Sequence, residues 1–331
     1  MQNEIDIIHL HGFIGALSPS ILLAIKNTKK TKHFYVVQTM HEFHLVCPNS
    51  ILFDYSTRKI CEACLSHKVK YPIFIKRCDR RGRIFTLIKG VRSLIANNII
   101  GHATLVDKII TPSNFVKEKL IQGKIIEGKI ITISNPIVLR EYDADEEKEN
   151  IICFFGRFSK EKNLVFLIEC FNSWKQKSKN DFKLLLIGSG DYEDEMRLAA
   201  LRSKYKSDII FKPFIPHKLL YTEIKKIKYY AMTSNCFENA PMGILESLAF
   251  NAVSIVPDIG GMKEMIEDII KVGGIYKAQD MESWCDTMDS LERNYEKLLA
   301  QLKENKNNLI SRYSEETYLK NVNKLYREIK Q

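Results

Sequence analysis

The chain has 331 residues, enough for two domains of ordinary size, and its balance of apolar and charged residues is that of a globular protein in water. No stretch reaches the roughly 20 apolar residues of a membrane span, and the opening MQNEIDIIHL lacks a basic region followed by an apolar signal core, so a cytoplasmic protein is expected. The formal net charge of +10 is unevenly placed: residues 68–92 carry nine basic side chains (Lys68, Lys70, Lys76, Arg77, Arg80, Arg81, Arg83, Lys89, Arg92) against one acidic residue, Asp79.

Ile5–Leu10 reads as a buried strand that empties into a loop with Gly12 and Gly15, and Ser18-Pro19 opens a helix over Ser20–Lys26. Strand, glycine loop and helix make a phosphate-friendly turn, which alone is a weak signal. Phe34–Gln38 is a second strand. At its end TMHEFH sets His41 and Glu42 beyond a carboxyl end, where open parallel sheets bind ligands. A lone histidine is as readily a structural hydrogen-bonder, so both readings of His41 stay open.

A region of about 43–92 reads as an insertion with cysteines at 47, 61, 64 and 78, in the spacing C-x13-C-x2-C-x13-C. In a cytosolic chain, clustered thiols point to structural zinc held by Cys47, Cys61, Cys64 and Cys78 rather than to disulfides. The plain alternative is small buried hydrophobes, as read for Cys153, Cys170, Cys236 and Cys285. The basic stretch 68–92 suits an anionic membrane surface or a lipid-linked phosphate, against the alternative of a merely solvated face. Tyr71, Phe74 and Phe85 are too few and too irregular for stacking on bases, so no nucleic acid is expected as a partner.

Ile84–Ile99 has helical spacing of apolar residues. Val106–Ile110 is a strand ending in TPSN, where Ser113 or Asn114 caps a helix through Leu120, and Lys129–Ile133 is the last strand of this half. The acidic stretch REYDADEEKEN marks the boundary between a domain over 1–140, a linker over 141–150 and a second domain over 151–305, with a C-terminal helix over 306–331. In the second domain Ile151–Phe155 is a strand, GRFSKEKN a loop bearing Arg157 and Lys162, and Leu164, Leu167, Ile168 and Phe171 share one helix face. Strands over Phe182–Ile187, Ile209–Phe211, Lys228–Thr233 and Val253–Val256 alternate with helices. The fold class is therefore α/β, with two doubly wound, Rossmann-like parallel-sheet domains.

The stretch 233–267, TSNCFENAPMGILESLAFNAVSIVPDIGGMKEMIE, carries the strongest site signal. Glu238 and Glu246 stand eight positions apart, with Pro241 and Gly243 between them. Proline suits a first helical turn, so the amides of Met242, Gly243 and Ile244 can face an anion between two carboxylates that accept from hydroxyls. A nucleoside diphosphate sugar fits that arrangement, and two solvated glutamates are the alternative. Arg157 and Lys162 can stabilise a departing diphosphate, which needs no metal.

The segments FGRFSKEKN (155–163), LLLIGSG (184–190), FENAPMGILE (237–246) and DIGG (258–261) resemble, in order and spacing, family 4 of the retaining glycosyltransferases. Thr39-Met40-His41, Cys47-Pro48-Asn49, Thr111–Phe115 and Ser134-Asn135-Pro136 extend the resemblance over nearly the whole chain. It implies the GT-B fold, two Rossmann-like domains with a cleft between them. It further implies Arg157 and Lys162 on the diphosphate, Gly243 and Ile244 amides at the phosphates, Glu246 on the ribose and Glu238 on the transferred sugar. His41 would sit by that sugar, and Gly15 would approach phosphate or acceptor. The donor would be of UDP or GDP type, with no cofactor needed for catalysis and front-face transfer with retention. Glu42 stands where the family usually has Asp, and Ile14-Gly15 where it commonly has Gly-Gly. The expected activity is transfer of a sugar to a glycan or lipid-linked glycan in cell-surface polysaccharide assembly (capsule or lipopolysaccharide) at the inner face of the membrane. The alternatives are a non-catalytic sugar-nucleotide-binding protein, a basic nucleic-acid-binding protein, or another enzyme on the same scaffold.

Overall fold

The computed structural model describes residues 5–137 and 147–331. The chain divides into two units, one built on residues up to Asn135 together with Glu316–Gln331, the other on Pro136–Glu315. The expected linker over 141–150 lies outside the described residues as far as 146, and Glu149 and Asn150 already belong to a strand.

The first unit runs β1 (Ile7–His11), α1 (Ile14–Leu17), α2 (Ser20–Thr28), β2 (Tyr35–Thr39), β3 (Phe53–Asp54), β4 (Lys59–Ile60), α3 (Pro72–Ile75), α4 (Arg83–Leu94), α5 (His102–Leu105), β5 (Lys108–Thr111), α6 (Asn114–Gln122) and β6 (Ile130–Thr132). A π-helical turn, Ile95–Ile100, extends α4. The strands β1-β2-β5-β6 form one parallel sheet, in register from Ile7 opposite Tyr35 to Thr111 opposite Thr132. Ser113 caps α6 by accepting from the Val116 amide at 3.3 Å, which satisfies one of the donors a helix start leaves open. The expected insertion contains the small antiparallel ladder β3–β4 and the helices α3 and α4.

The second unit runs β7 (Glu149–Phe155), α7 (Leu164–Ser178), β8 (Lys183–Ile187), α8 (Glu193–Leu201), β9 (Ile209–Lys212), α9 (His217–Ile224), β10 (Ile227–Ala231), α10 (Met242–Ala249), β11 (Val253–Pro257), α11 (Gly260–Glu264), β12 (Gly274–Tyr276), α12 (Met281–Arg293) and α13 (Tyr295–Arg312). Its six parallel strands are ordered β12-β11-β10-β7-β8-β9, so the order reverses between β7 and β10. Strand sequences such as KLLLI and VSIVP are apolar nearly throughout because helices cover both faces. Leu164, Leu167, Ile168 and Phe171 of α7 are wholly buried against that sheet, as their spacing predicts.

The tail is not the single helix expected over 306–331. The helix α13 ends at Arg312, and α14 (Glu315–Glu328) packs on the first unit, burying Val322 and Leu325 among Val37, Ile110 and Ile133. Among the described residues no helix is long and apolar enough to cross a membrane.

Candidate active site

Three loops at the carboxyl ends of β7, β10 and β11 are tied to one another. The Thr233 hydroxyl donates to the carbonyls of Lys162 and Asn163 at 3.0 and 3.2 Å, and the Asn235 amide donates to the Glu161 carbonyl at 2.9 Å. The Gly261 amide donates to the Glu238 carbonyl at 2.8 Å, and a Cβ at Gly261 would fall 1.9 Å from the Asn239 carbonyl oxygen. Only glycine lets those two backbones touch.

These ties gather the charged residues. Lys162 pairs with Glu238, whose Oε1 also accepts from the Ser234 hydroxyl at 3.0 Å and lies 3.8 Å from the Cys236 thiol. Burial works against the Lys162 ammonium, but the Glu238 carboxylate outweighs it and holds the lysine above its ordinary pKa. Arg157 reaches Glu161 at 3.1 Å and stays largely exposed while Glu161 is buried. Sequence reasoning missed Ser234, Cys236 and Glu161. Only Glu161 left a trace, four residues from an arginine.

Pro241 is the residue before α10 rather than its first, with φ −68° and ψ 120°. The Ile244 amide is engaged by the Pro241 carbonyl at 3.2 Å, so among the described residues the donors left open at this helix start are Met242 and Gly243. Gly243 answers to packing from below: a Cβ there would lie 2.2 Å from the Tyr230 hydroxyl. Burial, and then the Glu246 carboxylate, push the Tyr230 phenol well up, so it stays protonated beneath the site. Glu246 is buried in α10, one turn on from Met242. Ser159 Oγ and Asn235 Oδ1, in the same loops, are buried and have no hydrogen-bond partner among the described residues.

In the first unit His41 follows β2 and its Nε2 lies 3.0 Å from Nδ1 of His11 at the end of β1, with the rings stacked 5.3 Å apart. His9 bonds Thr39 at 2.8 Å and the Tyr326 hydroxyl of α14 at 2.6 Å. Burial, and then the neighbouring His11 and His41, lower His9 to about 4; burial also lowers His11 and His41. All three are therefore neutral at pH 7. Gly15 lies within the short helix α1.

The cysteines at 47, 61, 64 and 78 come into one neighbourhood without forming a metal cage. Among the described residues no three His, Cys, Asp or Glu side chains are placed to hold a metal ion. Cys64 and Cys78 pack with Ile73 in a small apolar cluster, and burial first, then the nearby thiols, pushes both up to about 12. Protonated, buried thiols behave as hydrophobes, the alternative reading of this spacing. The basic stretch is also partly internal: Lys70 donates to the Leu65 carbonyl at 3.3 Å, Lys76 faces Asp54 at 3.6 Å and Lys89 pairs with Asp79 at 2.7 Å.

Comparison with known proteins gives the family and the fold. The sequence profile described as glycosyl transferases group 1 matches residues 139–309, just over half of the chain. A Campylobacter jejuni enzyme, the GalNAc-alpha-(1->4)-GalNAc-alpha-(1->3)-diNAcBac-PP-undecaprenol alpha-1,4-N-acetyl-D-galactosaminyltransferase, is 25% identical over 128 residues, 38% of this chain and 34% of the enzyme. Glycogen synthase of Aliivibrio fischeri is 24% identical over 112 residues, 34% of this chain and 22% of that protein. The chain thus matches about a third or less of the length of these curated relatives. Among solved structures, S. aureus TarM, in complex with UDP and other ligands, aligns with a TM-score of 0.68 at 18% identity, covering 93% of this chain and 54% of TarM. Anabaena HepE in complex with UDP aligns at 0.67 and 13%, covering 98% and 79%. The fold of the chain is GT-B.

Proposed function

Because the chain belongs to the glycosyl transferases group 1 family, we propose that it is a retaining, metal-independent glycosyltransferase of family 4, moving a sugar from a nucleoside diphosphate sugar to a glycan or lipid-linked glycan. The observation that carries this reading is the Lys162–Glu238 pair, drawn together from the loops after β7 and β10, with Arg157 on the first loop and the start of α10, which bears Glu246, directly after the second. Arg157 and Lys162 meet the diphosphate together with the Met242 and Gly243 amides. Glu246 takes the ribose hydroxyls and Glu238 those of the sugar.

As the glycosidic bond breaks, negative charge grows on the leaving phosphate, and fixed cations in a partly dry site lower that barrier most. Lys162, held protonated by Glu238, is already charged when the donor arrives. Glu238 accepts from Lys162, Ser234 and Cys236 on Oε1, and donors on a carboxylate oxygen make the group a poorer nucleophile. That favours front-face attack by the acceptor hydroxyl, on the same side as the departing phosphate, over a covalent intermediate. Ser159 and Asn235 offer the donor further buried partners. His41, held by His11, keeps the sugar-side role that the resemblance gives it. UDP is the first donor nucleotide to try, since TarM and HepE hold it. The C. jejuni relative, which acts on an undecaprenol-linked glycan by its name, favours a lipid-linked acceptor and a cytoplasmic, membrane-peripheral enzyme in cell-surface polysaccharide assembly.

The test is donor hydrolysis and transfer by Arg157→Ala, Lys162→Ala and Glu238→Ala, with a panel of UDP and GDP sugars. Each variant is expected to lose most of its turnover, and wild-type rates in all three would end the proposal. Isothermal titration separates the alternative of a binding protein, which would bind donor tightly in the wild type without turnover.

A further inference from the structure

The helix α4 and the π-helical turn after it are built inside out. Ile84, Ile88, Val91, Ile95 and Ile99 recur at spacings of four, three, four and four, which sets them on one face. That face is turned to solvent, with exposures of 72%, 56%, 49%, 38% and 67%. The buried face holds Thr86, Gly90, Ser93 and Ala96, with Ile100 at its far end. Gly90 rests so closely on α3 that a Cβ would come within 2.9 Å of Ile73 and Phe74. Ile75, at the end of α3, is 76% exposed. A helix in water normally hides its aliphatic stripe, and a stripe this long left open marks a surface made for a partner.

The charge beside the stripe identifies the partner. Lys68, Arg77, Arg80, Arg81 and Arg83 are exposed, while Asp79, the single acid in 68–92, is buried between Arg81 and Lys89 at 3.2 and 2.7 Å. The surface is therefore aliphatic with a cationic flank. A second copy of the chain fits poorly, because a self-complementary contact would lay this arginine cluster against or beside itself.

We propose that α4 lies in the headgroup boundary of an anionic bilayer, with Ile84, Ile88, Val91, Ile95 and Ile99 among the acyl chains and Arg77, Arg80 and Arg83 on lipid phosphates. This deepens the membrane-peripheral reading of the proposed function and rests on it only for a lipid-linked acceptor. Arginine stems reach from an apolar boundary to headgroups, and an amphipathic helix with a basic flank binds by both terms. The two terms differ in their response to salt: electrostatic attraction is screened, aliphatic insertion is not.

The experiment is cosedimentation of the full chain with vesicles of phosphatidylglycerol and phosphatidylcholine, or of phosphatidylcholine alone, at about 0.1 M and about 0.5 M salt. The wild type is expected on the anionic vesicles, with a fraction that survives high salt. Ile84→Ser with Ile88→Ser should weaken binding on the order of 100-fold and abolish the salt-resistant fraction, with melting unchanged because both side chains are exposed. Arg77→Gln, Arg80→Gln and Arg83→Gln together should remove the salt-sensitive part. Undiminished binding by the isoleucine variant would overturn the proposal, as would a dimer, seen by sedimentation, that the same substitutions dissolve. Turnover of a soluble donor, measured without vesicles, keeps the catalytic reading separate: turnover intact with vesicle binding lost supports the membrane surface, while turnover absent in a wild type that binds vesicles overturns the catalytic reading alone.

Discussion

Replacing Lys162 by Met removes the cation and keeps the side chain's length. In the wild type the Lys162 and Glu238 side chains are 18% and 17% exposed, so the pair is mostly dry. After the substitution Glu238 keeps the Ser234 hydroxyl at 3.0 Å and a weak thiol contact at 3.8 Å, two neutral donors for a charge in a dry site. Breaking a fully buried pair in this way costs about 3–5 kcal/mol, and the water that reaches this one brings the figure to about 2 kcal/mol. For a unit of this size that is a fall in Tm of about 4–8 °C. Turnover should fall about 100- to 1000-fold, the cost of losing one preorganised group at a developing charge. The folded pKa of Lys162 is raised, so its contribution is fully present below the unfolded lysine value of 10.5 and is lost as pH rises through the higher folded value. The difference in Tm between wild type and variant should therefore hold across the neutral range and close only above pH 10.5. Adding Glu238→Leu to Lys162→Met removes the stranded carboxylate and should restore most of the stability and none of the turnover. Thermal melts and a donor-hydrolysis assay check both halves. A single variant that melts and turns over like the wild type, or a double variant no more stable than the single, would refute the reasoning.

Gly243→Ala should cost about 1–3 kcal/mol and raise KM for the donor, because its methyl meets the Tyr230 hydroxyl; adding Tyr230→Phe should recover part of both, as melts and kinetics will show. The first unit should be labile to acid: His9 and His102 are lowered to about 4 and His44 to about 3, so stability is full above the unfolded value of 6.5 and drains as pH falls toward 4. Its melting temperature followed from pH 7 to pH 4 checks this, and a flat profile would count against it. Tyr326→Phe leaves His9 without its 2.6 Å partner and should loosen α14 by about 1 kcal/mol, read as faster amide exchange over 315–328.

Which parts of this molecule could be read from sequence follows from how locally each is determined. The strands and most helices were legible, since apolar runs such as IICFF and LLLI need only a sheet covered on both faces, and Ser113 caps α6 through its own residues. Glu238, Glu246, Arg157 and Lys162 were legible as candidates because their loops carry fixed spacings. The pairing of Lys162 with Glu238 was not, for it spans 76 positions and depends on Thr233 and Asn235 drawing two loops together. Gly243 was singled out for leaving room to a ligand, whereas the constraint the fold shows there is the Tyr230 hydroxyl on β10. Spacing brought four cysteines together but could not show whether the thiols would close round an ion or pack beside Ile73.

The helix α4 shows a deeper limit, and one that bears on function. Periodicity reports that a helix has an apolar face; it says nothing about the direction that face takes. Direction is decided by what the rest of the fold can accept, and here α3 presses against Gly90 so closely that only the small face fits inward. With that contact made, Ile84, Ile88, Ile95 and Ile99 face out. The same packing that stabilises the insertion therefore exposes its aliphatic stripe. A large side chain at position 90 would relax the constraint, so Gly90→Leu should push α3 from α4, and comparing its vesicle binding with that of Ile84→Ser/Ile88→Ser asks whether the membrane reads the side chains alone or the scaffold that holds them outward.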